Sequence, residues 1–406
     1  MPKDLEYVAL LFVLFVVPRY LQRFRLPSAV TSLALGALAT GAGLFEHDPT
    51  VTLLATFGIV ALFLFAGLDV DLKELRPDIK VLGQHLAIWS ATLAGLMGLI
   101  AWQTDLSTRT AALVALGLVT PSTGFILDSL QQFGLSEDEK RWTKSKAIAS
   151  ELLALGVMFV ALQSTSLRQL ALSTALLAAL IVLLPPFFRW FAARIAPYAP
   201  RSEFAFLLMV AVVCASATRR LGVYYLVGAF VVGLAARQFR TRLPAMSSER
   251  MLGAVEAFAS FFVPFYFFKA GLGVNSKELD LPAVLLGVGL LVGSVGLRLG
   301  EIALHRWLAL REPPRSSLRI GVALLPTLVF TLVIADILRE RPEVPPSLIG
   351  ALVVFTTFIT ILPGLILRLP PVTYDQPHLY PLPPAGAGAA AAPSSEPPGA
   401  PASIRP

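Results

Sequence analysis

The chain has 406 residues, of which 56% belong to the set AVILMFWYC and only 15% are charged, and its mean hydropathy is +0.73. That composition excludes an ordinary soluble domain and specifies a polytopic membrane protein. The formal charge of +7 and isoelectric point near 9.7 do not signal a nucleic-acid partner, because the basic residues are spread through loops on one side of the membrane.

Read with a window near 20 residues, the chain yields thirteen spans, near 5–20, 27–45, 51–68, 81–101, 108–131, 143–164, 168–190, 202–219, 222–236, 253–274, 282–305, 317–338 and 347–368. The first opens at Leu5 behind Lys3 and Asp4 without a small-residue cleavage site, so it reads as a helix and not a removed signal. The ninth is short and reads as tilted or partly fused to the eighth. With their flanking residues, the odd-numbered connections hold 21 Lys and Arg and the even-numbered ones 7. This positive-inside asymmetry places the N-terminus outside and the C-terminus in the cytoplasm. The single cysteine, Cys214, rules out a disulfide framework and a cysteine metal site. From Pro370 onward eleven of 37 residues are proline, mixed with Ala, Gly and Ser. Such a segment buries too little apolar surface to offset its ordering entropy, so 370–406 is expected to be a disordered cytoplasmic tail behind a transmembrane domain of 1–369.

Thirteen spans divide into two sixes of opposite orientation around one linker. Two apolar spans are interrupted at matching places, the fifth by ALGLVTPSTGFILDSL and the twelfth by GVALLPTLVFTLVI. Pro121 and Pro326 each remove a backbone hydrogen bond near mid-membrane. Thr120, Ser122 and Thr123 beside one, and Thr327 beside the other, can satisfy or present the freed groups. Matched breaks in inverted halves point to a transporter site, although ordinary proline kinks are the competing reading.

The stretch KSKAIASELLALGVMFVALQS (144–164) carries Glu151 inside an otherwise uncharged run. A charge at the centre of a bilayer helix costs roughly 2.5–3.5 kcal/mol on insertion scales, so it marks a functional site with a partner to be found. Arg298 and Glu301 are the other charges deep in a long span. Arg298 is expected within about a helical turn of the depth of Glu151 and can meet it, or it can pair with Glu301 three residues away on its own helix. Lys269 reads as a lysine snorkelling to the headgroups, and Asp128, Asp336, Glu203 and Glu256 as interfacial residues at helix ends. His47, His85, His305 and His378 show no metal-ligand spacing, and no metal site is expected.

Taken in order, RFRLPSAVTSLALGALATG (23–41), GIVALFLFAGLDVDLKEL (58–75), TPSTGFILDSL (120–130), GVYYLVGAFVVGL (222–234) and PFYFFKAGLGVN (264–275) resemble motifs of the monovalent cation:proton antiporter superfamily, in its Kef-type and bacterial sodium/proton exchanger branch. The resemblance spans about residues 10–369. It implies an all-α fold of about thirteen transmembrane helices in two inverted repeats with crossed discontinuous helices. One part would be a dimerising panel and the other a core moving in an elevator-like manner, as a homodimer in the inner membrane. Ser150-Glu151 falls on the family's ion-carrying carboxylate and its polar predecessor, with Glu where Asp is usual, and Arg298 falls on the basic residue that pairs with it.

The activity implied is secondary active exchange of Na⁺ or K⁺ for H⁺ by the 1–369 domain, electroneutral because one carboxylate stands where an adjacent pair occurs in some relatives. Glu151 would bind either the proton or the cation, while hydroxyls of Ser150, Thr120, Ser122 and Thr123 and unwound carbonyls complete an oxygen shell. Partners are these ions and the bilayer, with no nucleic acid and no cofactor. PTLVF, which starts at Pro326, lacks the charged or Gln-containing text usual there in the family it resembles. A transport-inactive sensor or scaffold with the same fold is therefore the alternative. Nothing resembles the paired aspartates or nucleophile sets of a membrane-embedded enzyme.

Overall fold

The computed structural model describes residues 3–70, 78–164, 166–199, 202–220, 225–240, 245–275, 277–311 and 314–367. The tail expected at 370–406 and parts of the stretches at 58–75 and 222–234 lie outside the described residues. The described residues form α-helices and one turn of 3₁₀ helix, with no strand. The helices are α1 (Lys3–Gln22), α2 (Ser28–Gly41), α3 (Pro49–Asp69), α4 (Ile79–Gln103), α5 (Thr108–Val119), α6 (Thr123–Ser129), α7 (Glu137–Gln163), α8 (Leu167–Arg194), α9 (Glu203–Arg220), α10 (Tyr225–Arg240), α11 (Ala245–Leu272), α12 (Leu281–Leu310), α13 (Pro314–Ala323), α14 (Leu328–Arg339) and α15 (Pro346–Ile366).

Each expected span coincides with one helix or one interrupted pair. The pairs are α5 with α6 and α13 with α14, broken where Pro121 and Pro326 stand. Two helices begin about two turns earlier than hydropathy indicates. In α7 the reason is a capping box, in which Ser136 and Glu139 bond each other's backbone N–H, with acids at Glu137, Asp138 and Glu139 in the first turn. These polar turns extend the helix beyond its apolar stretch. Among the described residues, seven single helices and the α5–α6 pair are long and apolar enough to cross a membrane, which makes eight spans, or nine when the bent pair α13 and α14, with a 46° angle, counts as one. The chain is a multi-pass membrane protein.

The helices sort into two bundles. α1, α2, α3, α8, α9, α10 and α11 pack as a panel, and α4–α7 with α12–α15 pack as a core; contact between the two is narrow. The panel is laminated by glycines: a Cβ on Gly36 would collide with the Phe268 carbonyl, and one on Gly271 with the Leu33 carbonyl, so α2 and α11 touch backbone to backbone. Gly67 and Gly233 do the same for α3 and α10. This is the small-residue packing of membrane helices, where close approach replaces a hydrophobic driving force. An ion pair between Asp69 at the end of α3 and Lys144 on α7, 3.3 Å apart, joins panel to core.

Inside the core the two interrupted helices cross. Residues before proline avoid the helical region, so Thr120 is extended (φ −80°, ψ 119°) and α5 stops at Val119. The break exposes backbone groups that water cannot reach, and each needs a partner. Thr331 on α14 donates to the Gly117 carbonyl at 2.6 Å, Ser294 on α12 to Leu118 at 3.0 Å, and the Trp89 indole on α4 to Val119 at 3.4 Å. Across the crossing the Ser122 N–H donates to the Pro326 carbonyl at 2.8 Å. Thr327 bonds Thr356 of α15, hydroxyl to hydroxyl at 3.0 Å.

Candidate functional site

Glu151 sits midway along α7, 6% exposed, and aims at the crossing. One carboxylate oxygen accepts the Thr123 backbone N–H at 3.0 Å. Thr123 opens α6, so the acid takes up a donor that the break leaves without an intrahelical acceptor. The Thr123 side chain lies against the same carboxylate. Thr120, the fully buried, extended residue before Pro121, has a hydroxyl with no hydrogen-bond partner among the described residues. The carboxylate and the Thr123 side chain thus meet where the backbone is unwound, three residues from Thr120, and such oxygens suit a small hard cation.

The neighbouring Ser150 is buried, and its hydroxyl lies 3.1 Å from Nε2 of His85 on α4. Ser122 is placed differently from its expected place in an oxygen shell. Its hydroxyl oxygen accepts the N–H groups of Val329 at 2.9 Å and Phe330 at 3.4 Å, which open α14. It acts as a cap supplied by the opposite broken helix, and its oxygen is occupied by that work.

Arg298, expected either beside Glu151 or paired with Glu301, makes its hydrogen bonds elsewhere. Its guanidinium donates to the Leu325 carbonyl at 2.7 Å and to the Leu324 carbonyl. These carbonyls lie just past α13, where its C-terminal end carries partial negative charge and lacks donors, and the planar fork serves both. Among the described residues no ion pair joins Arg298 to Glu151; the acid that shares its electrostatic field is Glu301, one turn along α12.

A second polar group lies in the same core, and the sequence reading did not assemble it. His85 Nδ1 faces Glu301 Oε1 at 3.8 Å, and the rings of His85 and His305 lie 5.4 Å apart. His305 Nε2 is 3.0 Å from the Val81 carbonyl, so it carries the proton, and Nδ1 accepts from Lys146 Nζ at 2.8 Å. Two of the histidines read as scattered are thus neighbours. The available signal was helical spacing: Arg298, Glu301 and His305 fall at i, i+3 and i+7 on one face of α12, and Lys146 and Ser150 at i and i+4 on α7. Among the described residues no group of three or more His, Cys, Asp or Glu side chains is arranged to hold a metal ion.

The remaining charges keep to the periphery in part. Lys269 and Glu256 are exposed, and Glu203 is buried at the start of α9. Asp336 is partly exposed and bonds Arg339 at 2.6 Å, and Arg339 also forks onto Glu278 at 3.2 and 3.1 Å. The side chain of Asp128 lies outside the described residues.

With this geometry established, comparison with known proteins is informative. The family model described as sodium/hydrogen exchanger, transmembrane, matches residues 9–371. The chain is 23% identical over 341 residues to a probable Na(+)/H(+) antiporter 3 of Methanocaldococcus jannaschii, covering 74% of this chain and 79% of that one. It is 21% identical to a Na(+)/H(+) antiporter of Enterococcus hirae, covering 90% and 98%. Against the 27% identical Cation/H(+) antiporter 18 of Arabidopsis thaliana, 76% of this chain aligns with 40% of the longer protein. In three dimensions it matches the sodium proton antiporter MjNhaP1 of Methanocaldococcus jannaschii with a TM-score of 0.66 at 14% identity, over 90% of this chain and 96% of that one. From the match across nearly the whole transmembrane region, this chain belongs to the sodium/hydrogen exchanger family.

Proposed function

We propose that the chain exchanges a monovalent cation, Na⁺ or K⁺, for a proton at a single site centred on Glu151, one for one and therefore electroneutrally. The observation that carries this reading is a buried carboxylate bonded to the first N–H after a helix break, three residues along the chain from the buried Thr120, whose hydroxyl has no hydrogen-bond partner among the described residues. A carboxylate in such a place has two ways to lose its exposed charge: it takes a proton, or it takes a cation with help from the Thr120, Thr123 and Ser150 oxygens. The two loads compete for the same oxygens, and that competition is exchange. The narrow contact between panel and core supports alternating access by movement of the core against the panel. Family membership supports the same class of activity.

The setting proposed is an inner-membrane homodimer with thirteen crossings, the N-terminus outside and the C-terminus in the cytoplasm. The excess of Lys and Arg in alternate loops supports that orientation. The test is proton flux in vesicles of purified protein, driven by imposed Na⁺ or K⁺ gradients. Wild type is expected to exchange and Glu151→Gln to fold but not exchange. Glu151→Asp should exchange with altered cation affinity, because the carboxylate withdraws by one methylene. Full-rate exchange by Glu151→Gln would remove this residue from the mechanism. No exchange by wild type with any alkali cation would favour the sensor reading.

A further inference from the structure

We infer that His85, held by Glu301, is a positioning residue that sets cation affinity by fixing which way the Ser150 hydroxyl points. The inference rests on the reading of Glu151 and Ser150 as the exchange site. His85 is buried on α4 between two polar groups from different helices: Ser150 Oγ of α7, 3.1 Å from Nε2, and Glu301 Oε1 of α12, 3.8 Å from Nδ1. Among the described residues neither His85 Nδ1 nor Glu301 Oε1 has a hydrogen-bond partner. At 3.8 Å they interact by electrostatics and not by a hydrogen bond.

A neutral imidazole carries one N–H and one lone pair, and its surroundings choose which nitrogen holds which. As a carboxylate, the form that Arg298 and Lys146 favour and burial opposes, Glu301 presents its oxygen to Nδ1. A lone pair on Nδ1 would face that oxygen with like charge, whereas an N–H faces it with opposite charge. The proton therefore sits on Nδ1 and the lone pair on Nε2. The Ser150 O–H then donates to Nε2, which spends the only hydrogen of that hydroxyl and leaves both oxygen lone pairs free for a cation. In the other tautomer His85 would donate to Ser150, occupy one lone pair and free the hydroxyl hydrogen to point at an incoming positive charge. Glu301 thus acts on the site through the imidazole, as outer groups orient the ligands of metal sites.

The test compares wild type and Ser150→Ala with His85→Phe and Glu301→Gln, the last two each alone and combined with Ser150→Ala. One readout is the apparent KM for Na⁺ and K⁺ in vesicle exchange; the other is the rise in unfolding temperature of purified protein when Na⁺ or K⁺ is added. Glu301→Gln keeps the side-chain shape but can donate to Nδ1, and so favours the wrong tautomer. His85→Phe keeps a ring of similar size and removes the acceptor. Each is expected to raise KM about tenfold with the maximal rate little changed, and to weaken the thermal response to cation. In the Ser150→Ala background neither should add a further effect, since the hydroxyl they orient is gone. Unchanged KM and thermal response in both single variants would overturn the inference, as would effects that add in full to that of Ser150→Ala. If either variant does not fold, the other decides. Glu151→Gln run in parallel separates the two readings. Its full activity would sink the exchange site and this inference together, whereas its inactivity with unmoved KM in the His85 and Glu301 variants would remove only the role of His85.

Discussion

Arg298 stands where α13 leaves its last carbonyls without intrahelical donors, and its position was legible in the sequence while its bonds were not. A cation deep in a span announces that something nearby is negative, and a carboxylate was the natural expectation. The partner proved to be the partial charge of a helix end, which has no letter in the sequence. Replacing Arg298 by Met would leave two buried carbonyls unpaired at about 1–3 kcal/mol each. The expected outcome is a clear fall in the unfolding temperature of purified protein, with Arg298→Lys recovering part of it because an ammonium cannot fork across both carbonyls. An unfolding temperature unmoved by Arg298→Met would show that the carbonyls find other donors. Glu151 was conspicuous for the opposite reason: a carboxylate inside an apolar span is costly and rare. His85, Lys146 and His305 were less so, since each alone resembles a residue near a helix end, and they become a group only when α4, α7 and α12 are brought side by side.

At the level of helices, proline made the interruptions readable, and Pro121 and Pro326 mark where α5 and α13 give way. The reciprocal capping across the crossing could not be read, because Ser122 bonds N–H groups more than 200 residues away in sequence. Glycine was ambiguous in the same way. Gly36, Gly67, Gly233 and Gly271 sit where two backbones touch, whereas a Cβ on Gly95 or Gly98 would meet open space, and composition does not separate the two kinds. Gly271→Ala should therefore force α2 and α11 apart and lower the unfolding temperature, while Gly95→Ala should leave it level or raise it slightly through helix propensity. Equal behaviour of the two variants, followed by circular dichroism on heating, would argue against backbone contact at Gly271.

For the whole molecule, the division into a glycine-laminated panel and a core built around a crossing follows from which helices can approach closely and which carry polar groups to satisfy. The expected spans coincide with helices because hydropathy and membrane thickness constrain them directly, although not all of those helices are long and apolar enough by themselves to count as membrane crossings. How the spans are partitioned between panel and core depended on contacts between distant segments. In the proposed cycle a single carboxylate, Glu151, carries the load, while Arg298 is fixed onto backbone carbonyls and, among the described residues, not onto that acid. A core loaded in that way, with a proton or with a monovalent cation, would bear the same net charge on its outward and return journeys. Membrane voltage, which would contribute about 2.3 kcal/mol for each charge moved through 100 mV, neither drives nor opposes such a cycle. The gradient it can build is set by chemistry alone, a tenfold ratio of cation for each unit of pH difference, equivalent to about 1.4 kcal/mol. Vesicles clamped at zero and at −100 mV should reach the same final cation ratio, and a ratio that shifts with the clamp would mean that a second charge travels with the core.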